Sequence, residues 1–182
     1  MVSLKTLLTL GLAGASASKL PPTDLLPGQH DTKPGCGEVD LFFTGLPAYH
    51  PFVIGLGLDP AMVDQMLRAD AQAVINAGYN LKVALAGPEV GVEVLEAEMQ
   101  GQSWGGAGIG FGVRSAQDPD MTLLFIDTID AMRRLPVEGP IVFNYNAKTF
   151  LWALQQRIPL SENCTTPGTD YGFKVFCDVC EQ

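Results

Sequence analysis

The feature that most constrains this chain is the run Trp104-Gly105-Gly106-Ala107-Gly108-Ile109-Gly110-Phe111-Gly112-Val113-Arg114. With a strand's period of two, Gly106, Gly108, Gly110 and Gly112 share one face, and Ala107, Ile109, Phe111 and Val113 the other. A glycine inside a strand costs about 0.5–1 kcal/mol against alanine, so four cost about 2–4 kcal/mol if additive. Close approach of a helix or a ligand to the bare backbone is the usual compensation. The pattern therefore predicts an inner strand of a parallel sheet that delivers Arg114 to its carboxyl end.

The neighbouring segments predict what surrounds that strand. Val39-Asp40-Leu41-Phe42-Phe43-Thr44-Gly45 reads as the first strand and Leu81-Lys82-Val83-Ala84-Leu85-Ala86 as the second. Pro140-Ile141-Val142-Phe143-Asn144 follows the glycine run as the fourth. Between them stand helical patterns. Asp59-Pro60 caps and opens one that Gly78 stops, with Met62, Met66, Ala69 and Ala73 at helical spacing. Val92 to Gln100 is a short second helix, Asp118-Pro119 opens a third that ends near Arg133-Arg134, and Thr149 to Arg157 is a fourth. Alternating strands and helices predict a small doubly wound α/β domain, a parallel sheet of about four strands in the order 2-1-3-4 with helices on both faces. Tyr171 to Phe176 alternates and is either an edge strand or a segment lying on the core.

Outside residues 39–158 the character changes. Lys5, the uncharged apolar run Thr6 to Ala13 and the small residues Ala15-Ser16-Ala17 form a signal-peptide pattern over residues 1–17, too short to span a bilayer. Residues 18–38 are a Pro- and Gly-rich arm, and residues 159–182 a C-terminal tail. The signal predicts secretion, and an even count of four cysteines fits two disulfides among Cys36, Cys164, Cys177 and Cys180. The preferred pairing ties Cys36 to one of the C-terminal cysteines. Cys177-x-x-Cys180 also has redox or half-zinc-site spacing, but it ends the chain instead of opening a helix, and no second close pair exists. Asn163-Cys164-Thr165 is a glycosylation sequon with cysteine at its centre.

In an open parallel sheet, ligands bind beyond the carboxyl ends of the strands where the strand order reverses, here between the first and third strands. Thr44, Gly45 and His50 follow the first strand, Arg114 and Ser115 the third, and Glu89, Asn144, Asn146 and Lys148 flank them. Arg114 suits a carboxylate or phosphate, and His50 is a candidate acid or base. A loop histidine is more often structural, Arg114 has Asp118 and Glu89 as candidate partners, and Asn144 and Asn146 can serve turn backbone alone.

Several classes are excluded. The net charge of −9, with only 17% charged residues and no basic run, argues against nucleic acid and anionic membrane as partners. The glycines alternate within a strand, so the dinucleotide fingerprint is not met, and Gly55-Leu56-Gly57 lacks the P-loop's Gly-Lys-Ser/Thr. Leu46-Pro47-Ala48-Tyr49 is a poor phosphate loop for a flavodoxin-type carrier. Two histidines, His30 and His50, in different segments make no metal cluster, and there is no G-x-S-x-G elbow. No cofactor is implied.

Phe42-Phe43-Thr44-Gly45-Leu46-Pro47, Gly55-Leu56-Gly57-Leu58-Asp59-Pro60, Gly110-Phe111-Gly112-Val113-Arg114 and Phe143-Asn144 together resemble a group of short bacterial α/β proteins of unassigned function. The resemblance covers residues 39 to about 157 and implies a flavodoxin- or Rossmann-like fold. After Phe-Asn that group continues with Thr, Pro and Asp, where this chain has Tyr145, Ala147 and Thr149. Two readings of function follow. One is an exported domain that binds, or binds and transforms, an anionic or polar small molecule at its strand ends. The other is a non-catalytic secreted interaction or structural protein.

Overall fold

In the computed structural model, residues 33–180 are described, and all belong to a single compact unit. The signal-peptide segment and residues 18–32 of the arm lie outside the described residues. The strands are β1 (Asp40–Gly45), β2 (Asn80–Ala86), β3 (Gly106–Ile109), β4 (Ile141–Phe143) and β5 (Asp170–Phe176). The helices are α1 (Pro51–Gly55), α2 (Pro60–Asn76), α3 (Glu93–Met99), α4 (Phe111–Ser115), α5 (Pro119–Arg134) and α6 (Phe150–Arg157).

All strand pairings are parallel, and the order is β4-β3-β1-β2-β5. The sheet thus has five strands where four were expected, and the expected order is corrected by β5, which lies outside β2. Its alternating Tyr171-Gly172-Phe173-Lys174-Val175-Phe176 pairs with β2 from Leu81 to Ala86, with a register shift between Leu81 and Val83. Asn80 anchors this edge: its Nδ2 donates to Gly37 O and Asp40 Oδ1, and its Oδ1 accepts from Thr169 N at 2.6 Å.

The strands alternate their cargo between two apolar layers. Leu41, Phe43, Leu81, Val83 and Leu85 pack with Val74 and Ile75 of α2 and with Phe150, Ala153 and Leu154 of α6. Phe42, Ala84, Ala107 and Ile109 pack with Leu95 and Met99 of α3 and Met121, Leu124 and Met132 of α5. Helix starts follow local chemistry. The Asp59 carboxylate caps α2, and Asp118 Oδ1 accepts from Asp120 N and Met121 N to cap α5.

The glycine run is shorter as a strand than its alternation suggests. The β3 ladder ends at Ile109; Gly110 caps α4, and Phe111 to Ser115 are helical. Gly110 N donates to Thr44 O at 2.7 Å, and the chain then folds across the end of β1. A Cβ on Gly110 would stand 3.2 Å from Gly45 Cα, so two glycines back to back permit that crossing. Arg114 is therefore delivered by a helix and not by a strand end.

The glycines that remain in β3 explain themselves through α6. A Cβ on Gly108 would lie 2.2 Å from Phe150 Cε2, and one on Gly106 would lie 2.6 Å from Ile158 Cδ1. Phe150 stacks at 4.2 Å on Phe43, which is paired with Gly108 across the ladder. The ring occupies the space that a side chain on the strand would fill.

Two disulfides form. Cys36–Cys164 joins residues 128 apart, in agreement with the preferred tie of Cys36 to the C-terminal region. Cys177–Cys180 closes a short turn after β5. Such bonds persist in oxidising compartments. Among the described residues, no helix is long and apolar enough to cross a membrane.

Replacing Gly108 by Ala forces Phe150, which is 2% exposed, out of its seat. Gly108→Ala is expected to lower unfolding free energy by about 1–3 kcal/mol, read by urea denaturation. An unchanged midpoint would show that the ring is not wedged on the backbone.

Candidate functional site

The carboxyl ends of β1, β3 and β4 form the floor of a cavity of about 440 Å3. It sits beside the reversal of strand order between β1 and β3, where open α/β sheets place their ligands. Phe43, Gly45 and Gly110 contribute from the sheet side. Phe52 and Val53 of α1 and Val63, Met66 and Leu67 of α2 form an apolar wall. Leu56 and Leu58, in the connection between those helices, stand at the rim 61% and 49% exposed. Ser115, Asn144, Asn146 and Lys148 complete the lining on the opposite side.

Ser115 ends α4, whereas Asn144, Asn146 and Lys148 owe their places to a braced loop between β4 and α6. Thr149 Oγ1 accepts from Tyr145 N and Asn146 N, each at 3.1 Å. Asn146 Oδ1 accepts from Lys148 N at 2.9 Å, and Asn144 Nδ2 donates to Asn146 O at 2.8 Å. Asp70 of α2 caps α6 by accepting from Phe150 N at 2.8 Å. Burial pushes the Asp70 carboxyl up from its ordinary pKa, against the opposing pull of the Phe150 and Leu151 N–H groups.

Of the residues expected at the strand ends, Gly45, Ser115, Asn144 and Asn146 meet at this cavity. Thr44 is buried in β1 and is not part of the lining. Arg114 does not line it either. Its Nη2 donates to Asn144 O, and its guanidinium carbon lies 5.1 Å from the Phe143 ring centre and 5.8 Å from that of Phe111. Its Nε is buried without a partner, as is Asn144 Oδ1, and burial draws the Arg114 pKa down. Arg114 thus pins the β4–α6 loop to α4, a different task from facing a bound anion. Its expected partners Asp118 and Glu89 are not engaged with it.

His50 also lies elsewhere. Its Nδ1 accepts from Phe52 N at 3.2 Å and caps α1, while Nε2 meets Glu89 Oε2 at 3.1 Å. With Nδ1 accepting, Nε2 carries the proton and donates to the carboxylate. The pair borders a second cavity of about 570 Å3 with Asp120, Leu123, Asp127 and Val179. Thus His50 and Ser115 do not share a site. No group of three or more His, Cys, Asp or Glu side chains suited to a metal ion occurs among the described residues.

The cavity's apolar wall went unread in the sequence. The spacing of Met66 marks a helix face without saying that the face lines a cavity, and Leu56 and Leu58 fall between elements. The available signal was Gly55-Leu56-Gly57-Leu58: two leucines next to glycines, just ahead of a capped helix, are costly in water unless something apolar uses them. Comparison with known proteins finds no matching family model, no matching curated protein and no matching solved structure.

The bracing role of Arg114 has a measurable consequence. Arg114→Ala leaves the Asn144 carbonyl without its donor and is expected to cost about 1–3 kcal/mol of stability. Thermal unfolding reads this; a variant as stable as the parent would remove Arg114 from the brace.

Proposed function

We propose that this chain is an exported small-molecule-binding protein whose ligand has an apolar body and a polar or anionic end. The observation that carries the reading is the cavity itself: about 440 Å3 at the ligand-binding end of a parallel sheet, walled by α1 and α2 side chains. Burying a ligand there removes apolar surface from water on both partners, at about 25 cal/mol per Å2. Ser115, Asn144, Asn146 and Lys148 are the polar side chains among the described residues that line it, and they offer partners to a polar end. Among the described residues no Asp, Glu, His or Cys lines the cavity, which favours binding over acid–base or thiol chemistry.

Export is supported by the Lys5, Thr6–Ala13 and Ala15-Ser16-Ala17 pattern and by two disulfides of a kind kept in oxidising compartments. Mass spectrometry of protein recovered from the medium is expected to find an amino terminus at Ser18; intact residues 1–17 on recovered protein would overturn it.

Filling the cavity tests the binding reading. Titration calorimetry with 1-decanol is expected to show binding to the parent protein, weakened about tenfold or more by Met66→Trp, with the circular dichroism spectrum unchanged. The indole would take the volume a chain needs. Equal affinity for parent and variant would place any bound decanol outside this cavity.

A further inference from the structure

Resting on the binding reading above, we propose that the occupant is an amphipathic carboxylate, its hydrocarbon body against α1 and α2 and its carboxylate on Lys148.

The polar side of the cavity is unequal in sign. Lys148 is the only charged residue in the lining among the described residues. Its ammonium, like the exposed Arg133 and Arg157, is in no ion pair among the described residues, whereas Arg68, Lys82, Arg134 and Lys174 each have a carboxylate partner. Asp70 borders an adjoining hollow with Lys148, but it is engaged with Phe150 N and forms no pair with the lysine. What sets Lys148 apart is its place, in the lining of an apolar cavity in a chain of net charge −9.

The neighbouring groups point the same way. Asn146 spends its Oδ1 on Lys148 N, which leaves its NH2 as a donor toward solvent. Ser115 adds an exposed hydroxyl. An ammonium, an amide NH2 and a hydroxyl together offer donors to an acceptor-only head group, and a carboxylate is one. A cationic amphiphile would meet Lys148 with like charge and find no carboxylate in the lining. A neutral alcohol would gain the apolar contact and no ion pair. The leucine rim suits the entry of a chain, since Leu56 and Leu58 extend the apolar wall outward to solvent.

Lys148 is exposed, so its contribution is modest: an exposed ion pair is worth up to about fivefold in affinity and is screened by salt. The test is calorimetry on the disulfide-bonded protein at pH 8 and low ionic strength with three probes that share one tail: decanoate, 1-decanol and decyltrimethylammonium. Decanoate is expected to bind tightest and decyltrimethylammonium weakest. Lys148→Gln is expected to weaken decanoate about two- to fivefold and leave decanol unchanged, and Lys148→Glu to invert the order of the two ions. Raising the salt concentration should shrink the decanoate advantage. Decanol and decanoate binding the parent equally, with Lys148→Gln neutral, would overturn the carboxylate assignment and leave the cavity reading standing. Failure of all three probes to bind would overturn both.

Discussion

The structure depends on one contact, that of the Phe150 ring with the bare backbone of Gly106–Gly108. The ring lies where a Cβ on Gly108 would be, so α6 comes closer to the sheet than any strand with side chains on that face permits. The glycines forfeit β propensity, and the gain is a fully buried aromatic stacked on Phe43 at 4.2 Å. Because α6 is seated this deeply, the residues leading into it are held tightly over the ends of β3 and β4. Asn144, Asn146 and Lys148 reach the cavity from that short connection.

A second set of interactions turns the connection into a rigid wall. Thr149 closes the loop on itself, Asp70 ties its end to α2, and Arg114 ties its start to α4. Arg114 is an uncomfortable group for this duty: a cation partly removed from water, flanked by Phe143 and Phe111, with no carboxylate as partner. Aromatic faces compensate part of that cost. The cation available to solvent at the cavity is instead Lys148, four residues beyond Asn144. The charge has been used twice, once inward for architecture and once outward.

The opposite wall has a different physical basis. α1 is only five residues long, too short to be stable alone, and is held by its Pro51 start and by the His50 cap, whose imidazole is steadied in turn by Glu89. The histidine that looked chemically most active is thus spent on holding Phe52 and Val53 against the cavity. Leu56 and Leu58 extend that wall into solvent, an arrangement that costs solubility and is consistent with an apolar visitor.

The elements themselves were legible locally. Asp59-Pro60 and Asp118-Pro119 mark their helices through side-chain caps that need no tertiary partner, and alternation within β1, β2 and β5 follows from a strand with two faces. The extent of β3 was not legible, because a glycine that ends a strand and one that lets a helix approach it look identical until the neighbour is known. The directions of His50 and Arg114 were hidden for a similar reason. Their residue types announce reactivity, but whether a side chain faces a cavity or braces a loop depends on segments 30 or more residues away: Glu89 for one, Asn144 for the other. The sequence by itself determined the α/β alternation, the starts of α2 and α5 and the bond from Cys36 to the C-terminal region, since propensity, capping and cysteine count act within short segments or the whole chain's chemistry. Only the tertiary structure decided the fifth strand's place, the apolar cavity and which cation faces it, because those are set by packing between elements whose contacts no local pattern encodes.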